Sequence, residues 1–364
     1  MSILIFLGVL FVLILVHEWG HYITAKLTGM RVDEFGIGFP PKLFGVKRGE
    51  TTYTFNALPI GGFVKILGEN GDANGEVLSA ADKLRTFNAR PKWAQAVVLF
   101  AGVTMNVLFA WLLFVGVLMM GAPTAVGEDT ATAAAKLTIA SVVPNSPAAS
   151  LPANAVVESL VVGDTTVSPL SPKAVSAAIS GGGGLPVTVT YVAGGREQTE
   201  TLQPVTGLVA AEPERYTLGV QLILVETIVY PFGQAVVEGT LRTYDTTVAI
   251  IFGLSDLLYQ AVRGEADFSQ VAGPVGIVNY VGDAAQVGLS ALLVFTAIIS
   301  LNLAVINLLP IPALDGGRLV FVAIEAVTRR PINPAWAGRL NLVGFALLML
   351  LMLVVTYNDI VKLF

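Results

Sequence analysis

Apolar residues gather along this chain in long, nearly unbroken blocks rather than at the spacing of a soluble helix or strand. A helix needs about 20 such residues to cross a hydrocarbon core. Four blocks meet that length, at residues 1–24, 93–121, 289–309 and 340–358, and each predicts a transmembrane helix. A fifth stretch, 232–262, is interrupted by Glu238, Arg242, Asp245 and Asp256. That pattern predicts an amphipathic interfacial helix. Residues 135–222 read differently again, with short valine-rich runs punctuated by Pro, Ser, Thr and Gly. Leu137–Val143, Ala155–Val162, Pro186–Val192 and Thr199–Leu202 predict strands, and Lys173–Ile179 a short helix, giving an inserted α+β module. In residues 25–92, Asp33–Phe39, Thr51–Asn56 and Gly62–Leu67 cluster β-formers between glycines. This predicts β-hairpins lying against the membrane face.

Composition strengthens the membrane reading. Of 364 residues 54% are hydrophobic and 13% charged, the latter about half the share usual in soluble domains. Acidic residues outnumber basic ones 26 to 21, which leaves no cationic footprint for nucleic acid. The absence of cysteine removes disulfides, thiolate metal sites and cysteine nucleophiles together. Lysine and arginine set the expected orientation. Ten lie between Lys26 and Lys92 and four between Pro310 and Arg339, whereas residues 121–231 hold only four. The first two segments are therefore expected in the cytoplasm and the third outside. The first apolar block has no basic residue before Lys26 and no small-residue cleavage pattern, so it is expected to be retained rather than removed as a signal peptide.

The chain's two histidines both sit in His17-Glu18-Trp19-Gly20-His21, inside the first apolar block. On a helix, positions i and i+4 share a face, so both imidazoles reach one zinc ion. Glu18 lies about 100° around the helix, where it can take a proton from water at the metal. Three ionisable residues inside an apolar span are costly if unpaired, which favours function over chance. Catalytic zinc keeps three protein ligands and one open position. With no third histidine, a carboxylate must complete the set. Asp315, in Asn307-Leu-Leu-Pro-Ile-Pro-Ala-Leu-Asp315-Gly-Gly, is the best placed, just beyond the inner end of the third span. Read locally, that Asp-Gly-Gly is equally well a turn after a proline-broken helix.

These motifs resemble the site-2 proteases, and among them the bacterial sigma-E regulator type of intramembrane zinc metalloprotease. The resemblance runs through His17–His21, Leu58-Pro-Ile-Gly-Gly-Phe-Val-Lys65, Gly273-Pro-Val-Gly-Ile277 and Asn307–Gly317, four motifs in order. It implies a multi-pass protein of the bacterial plasma membrane whose active site faces the cytoplasm. It further implies zinc on His17, His21 and Asp315, Glu18 as general base, and substrate contacts at Asn307 and Asn302. Gly61, Gly62, Phe63 and Val64 are implied to pair with an unwound substrate as an added strand. The inserted module resembles a PDZ domain through Ser146-Pro-Ala, Val162-Gly-Asp164 and Leu218-Gly-Val. It departs from that pattern where the run 155–160 replaces a glycine and where Gly181–Gly184 form a loose turn, so it is expected to filter substrates by size. The implied substrates are transmembrane segments of other proteins, such as trimmed anti-sigma factors or signal-peptide remnants. A membrane scaffold using the PDZ-like module without catalysis, and a metal transporter, are the rivals. The retained Glu18 and Asp315 argue against the first, and the few polar residues in the third span against the second.

Overall fold

The computed structural model of the chain describes residues 1–69, 78–208, 212–265 and 272–362. Short stretches of the expected cytoplasmic region (70–77) and of the inserted module (209–211) therefore lie outside the described residues. Two compact units form, one from residues 1–117 with 233 onward, the other from 118–232.

Among the described residues four helices are long and apolar enough to cross a membrane, α1 (Ser2–Leu27), α3 (Lys92–Met120), α7 (Leu289–Asn307) and α9 (Pro334–Val361), all but the last turn of α3 lying in the first unit, with a short α2 (Ala80–Lys83) before α3. At 26 residues, α1 is about 39 Å long, more than the roughly 30 Å hydrocarbon core. The fourth helix begins earlier than hydropathy suggested. The reason is a cap: the Asn333 side chain accepts the Ala335 N–H at 2.9 Å, and Pro334 occupies the first turn.

Between α1 and α3, strands β1 (Val32–Arg48) and β2 (Thr51–Ile66) bend so that they form more than a simple hairpin. Phe35 pairs with Val64 on one side and Tyr53 on the other, while Phe44–Arg48 pair with Thr51–Phe55. The lateral order is thus 62–66, 32–37, 51–56, 42–48. Segment 62–66 is an outer strand, paired on one side among the described residues. The sheet packs along α1. At one end Glu50 accepts Lys26 at 2.6 Å and Arg85 at 2.7 Å, and these cations hold its carboxyl down at about 2. Further along, Phe35 packs on Tyr22 and Trp19, and Gly62 lies beside Ile14 and Glu18. Strand backbone packed against an apolar helix must have its polar groups satisfied. Buried Asn56 accordingly donates to the Gly38 carbonyl, and buried Thr51 to that of Val32. Phe39, Leu43, Phe44, Val46 and Leu58 are exposed along the sheet and suit a lipid environment.

The long α5 (Phe232–Arg263) buries a small-residue face, Gly239 and Thr243, with Gly239 against Val115 of α3. Trp111 of α3 donates to the Thr240 hydroxyl at 3.0 Å, and Ile250 joins a cluster of Ala110, Phe114, Ala297 and Leu301. Helix α6 (Pro274–Val287) opens at the Gly273–Ile277 motif, where Asp359 near the end of α9 accepts the N–H groups of Gly273 and Gly276 at 3.1 and 2.8 Å. A carboxylate on a helix N-terminus is the favourable sign for the dipole. Ser2 of α1 packs on Gly282 of the same helix. So α6 ties together the ends of α1 and α9 remote from His17 and His21.

The second unit is a mixed module. Strands β3 (Ala122–Val126), β4 (Lys136–Val142), β5 (Val156–Val162), β6 (Thr165–Thr166), β7 (Val187–Ala193), β8 (Arg196–Leu202) and β9 (Val220–Ile228) form one antiparallel sheet ordered β3-β9-β4-β5-β7-β8, with β6 on β5. Helix α4 (Pro172–Gly181), capped by Ser171, lays Val175 and Ile179 over a core that includes Leu137, Ile139, Leu218 and Tyr191. Strand β3 had no signature in the sequence because it is short and carries Pro123, which sits comfortably only at a sheet edge.

Candidate metal centre

Helix α1 presents His17 and His21 on one face, with Nε2 to Nε2 at 3.1 Å and the rings 83° apart. Asp315 arrives from the far end of the chain as the first residue of α8 (Asp315–Thr328). The loop before it folds back tightly. Side chains at 316 and 317 would collide with the carbonyls of Leu308, Leu309 and Ile311, which explains the Gly-Gly pair after Asp315. Ala313 has a left-handed φ of 78°, and its N–H is held by Asn341 of α9 at 3.2 Å. Lys92 of α3 pairs with Glu325 of α8 at 2.5 Å and steadies the helix that carries Asp315.

Asp315 Oδ2 lies 3.1 Å from His17 Nε2 and 3.2 Å from His21 Nε2. Three ligand atoms at tetrahedral positions about 2.05 Å from zinc stand about 3.3 Å apart, so this triangle has the size a zinc ion requires. The donor set also fits. His21 Nδ1 donates to the Val98 carbonyl at 2.8 Å, leaving Nε2 with a lone pair turned to the triangle. Asp315 Oδ2 is buried without a hydrogen-bond partner of good geometry. Converging lone pairs with no proton to share are repulsive unless a cation sits among them.

Glu18 lines the same cavity, of 440 Å³, as His17, His21 and Asp315. Phe63, Val64, Lys65 and Ile66 of the outer strand form one wall, and Arg318, which donates to Glu69, stands near Ala313 on another. Gly61 and Gly62 line a small void behind Glu18. Asn302 and Asn307 are not among the residues lining this cavity. The Asn302 amide donates to the Ile298 carbonyl of its own helix at 2.9 Å, and Asn307 is the last residue of α7. The sequence reading also passed over α3. Val98, Gly102 and Asn106, spaced by four, form the face of α3 that meets both histidines. An asparagine inside an apolar span was the available signal, and the structure buries it wholly.

A helix-borne histidine pair with an adjacent glutamate, a carboxylate completing the triangle, and beside it a strand edge unpaired among the described residues define a membrane metallopeptidase. The family model described as Peptidase family M50 matches residues 5–351, and the chain belongs to that family, the site-2 protease type of zinc metalloendopeptidase. It is 37% identical over 350 residues to a Clostridium perfringens protein named among the zinc metalloproteases, covering 96% of this chain and 95% of that one. It is 31% identical over 433 residues to zinc metalloprotease RasP of Oceanobacillus iheyensis, 97% of each chain. It is 28% identical over 448 residues to the regulator of sigma-W protease RasP of Bacillus subtilis, covering 100% of this chain and 99% of that one.

Proposed function

We propose that the chain cleaves peptide bonds within transmembrane segments of other membrane proteins, using zinc held by His17, His21 and Asp315 with Glu18 as general base. The observation that carries this is the 3.1–3.2 Å triangle beside Glu18 on a helix long enough to span the membrane. Zinc held by His17, His21 and Asp315 would supply Lewis acidity and lower the pKa of water there toward about 7. The Glu18 carboxylate takes a proton from the attacking water and returns it to the leaving amide nitrogen. His21 is held by the Val98 carbonyl, so its imidazole stays oriented through the cycle.

A peptide bond in a helix is shielded by its own hydrogen bonds, so the substrate must be extended before attack. The edge of segment 62–66 that is unpaired among the described residues, with Phe63 and Val64 in the cavity wall, offers backbone groups to an unwound chain. Asn307 is assigned a contact with that chain as it passes the end of α7. Two versions of one single-span substrate test the unwinding step: a cleavage segment of leucines, and the same segment with a central Gly. Glycine weakens a helix by about 1 kcal/mol, so the second is expected to be cut about fivefold faster. Equal rates would count against strand addition.

Orientation follows the basic residues, with the metal site toward the cytoplasm of a bacterial plasma membrane and residues 118–232 outside. In that outer unit a 260 Å³ groove runs between α4 and the start of β9, lined by Val175, Ile179, Leu218, Val220 and Arg215 among others. This arrangement supports the PDZ-like reading of 135–222 and a role in screening substrates by bulk. The name of the Bacillus subtilis relative assigns it to sigma-factor regulation. Anti-sigma factors trimmed outside, or signal-peptide remnants, are the substrate class assigned to this chain as well.

The function is tested by cleavage of a reconstituted single-span substrate before and after removal of metal. Activity is expected to disappear with a strong chelator and return with stoichiometric zinc. A metal-stripped protein that cleaves at an unchanged rate would overturn the proposal.

A further inference from the structure

We infer that Asn106 of α3 is a positioning residue for the metal centre, its amide oxygen accepting the Nδ1–H of His17. This rests on His17 being a zinc ligand. The Asn106 amide and His17 Nδ1 lie 3.2 Å apart, and Asn106 is fully buried. Its backbone carbonyl accepts the Ser300 hydroxyl of α7 at 2.8 Å, which anchors the residue between helices.

The proton count fixes which amide atom faces the ring. A His17 that ligates through Nε2 keeps its proton on Nδ1, so the atom opposite Nδ1 must be an acceptor. The side chain as placed presents Nδ2 there, and leaves Asn106 Oδ1 buried without a partner. Amide oxygen and nitrogen exchange places by a half-turn about the last side-chain torsion, and the hydrogen-bond network decides between them. The half-turn gives the orphaned oxygen its donor and gives the ring the acceptor that ligation demands. His21 has the same arrangement with the Val98 carbonyl. Residues 98 and 106, two helical turns apart on α3, thus serve the two histidines one turn apart on α1, one through backbone and the other through a side chain.

The test uses zinc affinity, measured by competition with a chromogenic chelator on the purified full-length protein. Asn106→Leu, which removes the acceptor, is expected to lower affinity about 10- to 100-fold. Asn106→Asp, which can only accept when ionised, is expected to bind zinc within about threefold of wild type or more tightly, and to keep the cobalt(II) absorption spectrum of the wild-type site. A mere packing role predicts the opposite order, because leucine suits a buried helix contact better than a carboxylate. Loss of binding in Asn106→Asp would overturn the inference even if the leucine variant does not fold. So would wild-type affinity in Asn106→Leu while His17→Ala loses zinc. If His17→Ala and His21→Ala both bind one zinc as tightly as wild type, the metal-site reading itself fails.

Discussion

Glu18→Gln is expected to stop cleavage of a reconstituted substrate while leaving the zinc content of the protein at one per chain. Glutamine keeps the length and shape of the side chain but cannot take a proton from water. The group is not one of the three atoms in the metal triangle, which consists of His17 Nε2, His21 Nε2 and Asp315 Oδ2. Loss of a positioned general base costs about 10²- to 10⁴-fold in rate, so turnover falls to the edge of detection. The decisive comparison is with His17→Ala and Asp315→Ala, which are expected to lose metal and activity together. Should the glutamine variant cleave at a tenth of the wild-type rate or faster, another residue is the base.

Gly102→Val is expected to be nearly as severe through a different route. A Cβ built on Gly102 would collide with His21 Nε2 and come within 2.7 Å of His17 Cε1. Real side chains do not tolerate such contacts, so the imidazoles or α3 must move. The two helices already touch here, a Cβ on Gly20 of α1 lying only 2.5 Å from the Ala101 carbonyl, so a shift of α3 that relieves the clash must break this close packing. A displacement of about 1 Å at a reacting centre costs about 10²-fold, and zinc affinity should fall with it. Gly116→Ala is the control. It lies in the same helix with nothing within 4 Å of its would-be Cβ, and alanine favours a helix over glycine, so metal, activity and stability are expected to hold. Equal behaviour of the two variants would show that Gly102 does not shape the centre.

These two substitutions divide the site into what was and was not legible beforehand. Glu18 stood out because a glutamate flanked by histidines at i and i+4 is a local pattern, and the helix that carries it needs only an apolar run. Gly102 carried no such mark. Its neighbours are 81 and 85 residues away in the chain, and glycine in an apolar span reads as one small residue among many. Asn106 gave a partial signal, being polar where polarity is costly, but its partner was not deducible without the packing of α1 on α3. Asn302, to which the motif resemblance assigns a substrate contact, donates its amide to the Ile298 carbonyl of its own helix, a partner that the sequence did not announce. The sheet shows the same limit. Residues 25–92 announced strands by composition, yet only the double pairing of 34–37 reveals that 62–66 is an outer strand beside Glu18.

The sequence by itself determined the four apolar helices, the ligand types open to a metal, the metalloprotease motif and the candidacy of Asp315. Each of these depends on residue chemistry or on a period of a few residues, and both survive in the unfolded chain. Only the tertiary structure decided that Asp315 meets both histidines at 3.1–3.2 Å, that Val98, Gly102 and Asn106 form the face behind them, and that the outer strand 62–66, paired on one side among the described residues, stands beside Glu18. Those features are contacts between segments up to about 300 residues apart. They arise because apolar helices must bury small and polar positions against one another, and the pairs that result are set by packing, which no local pattern encodes.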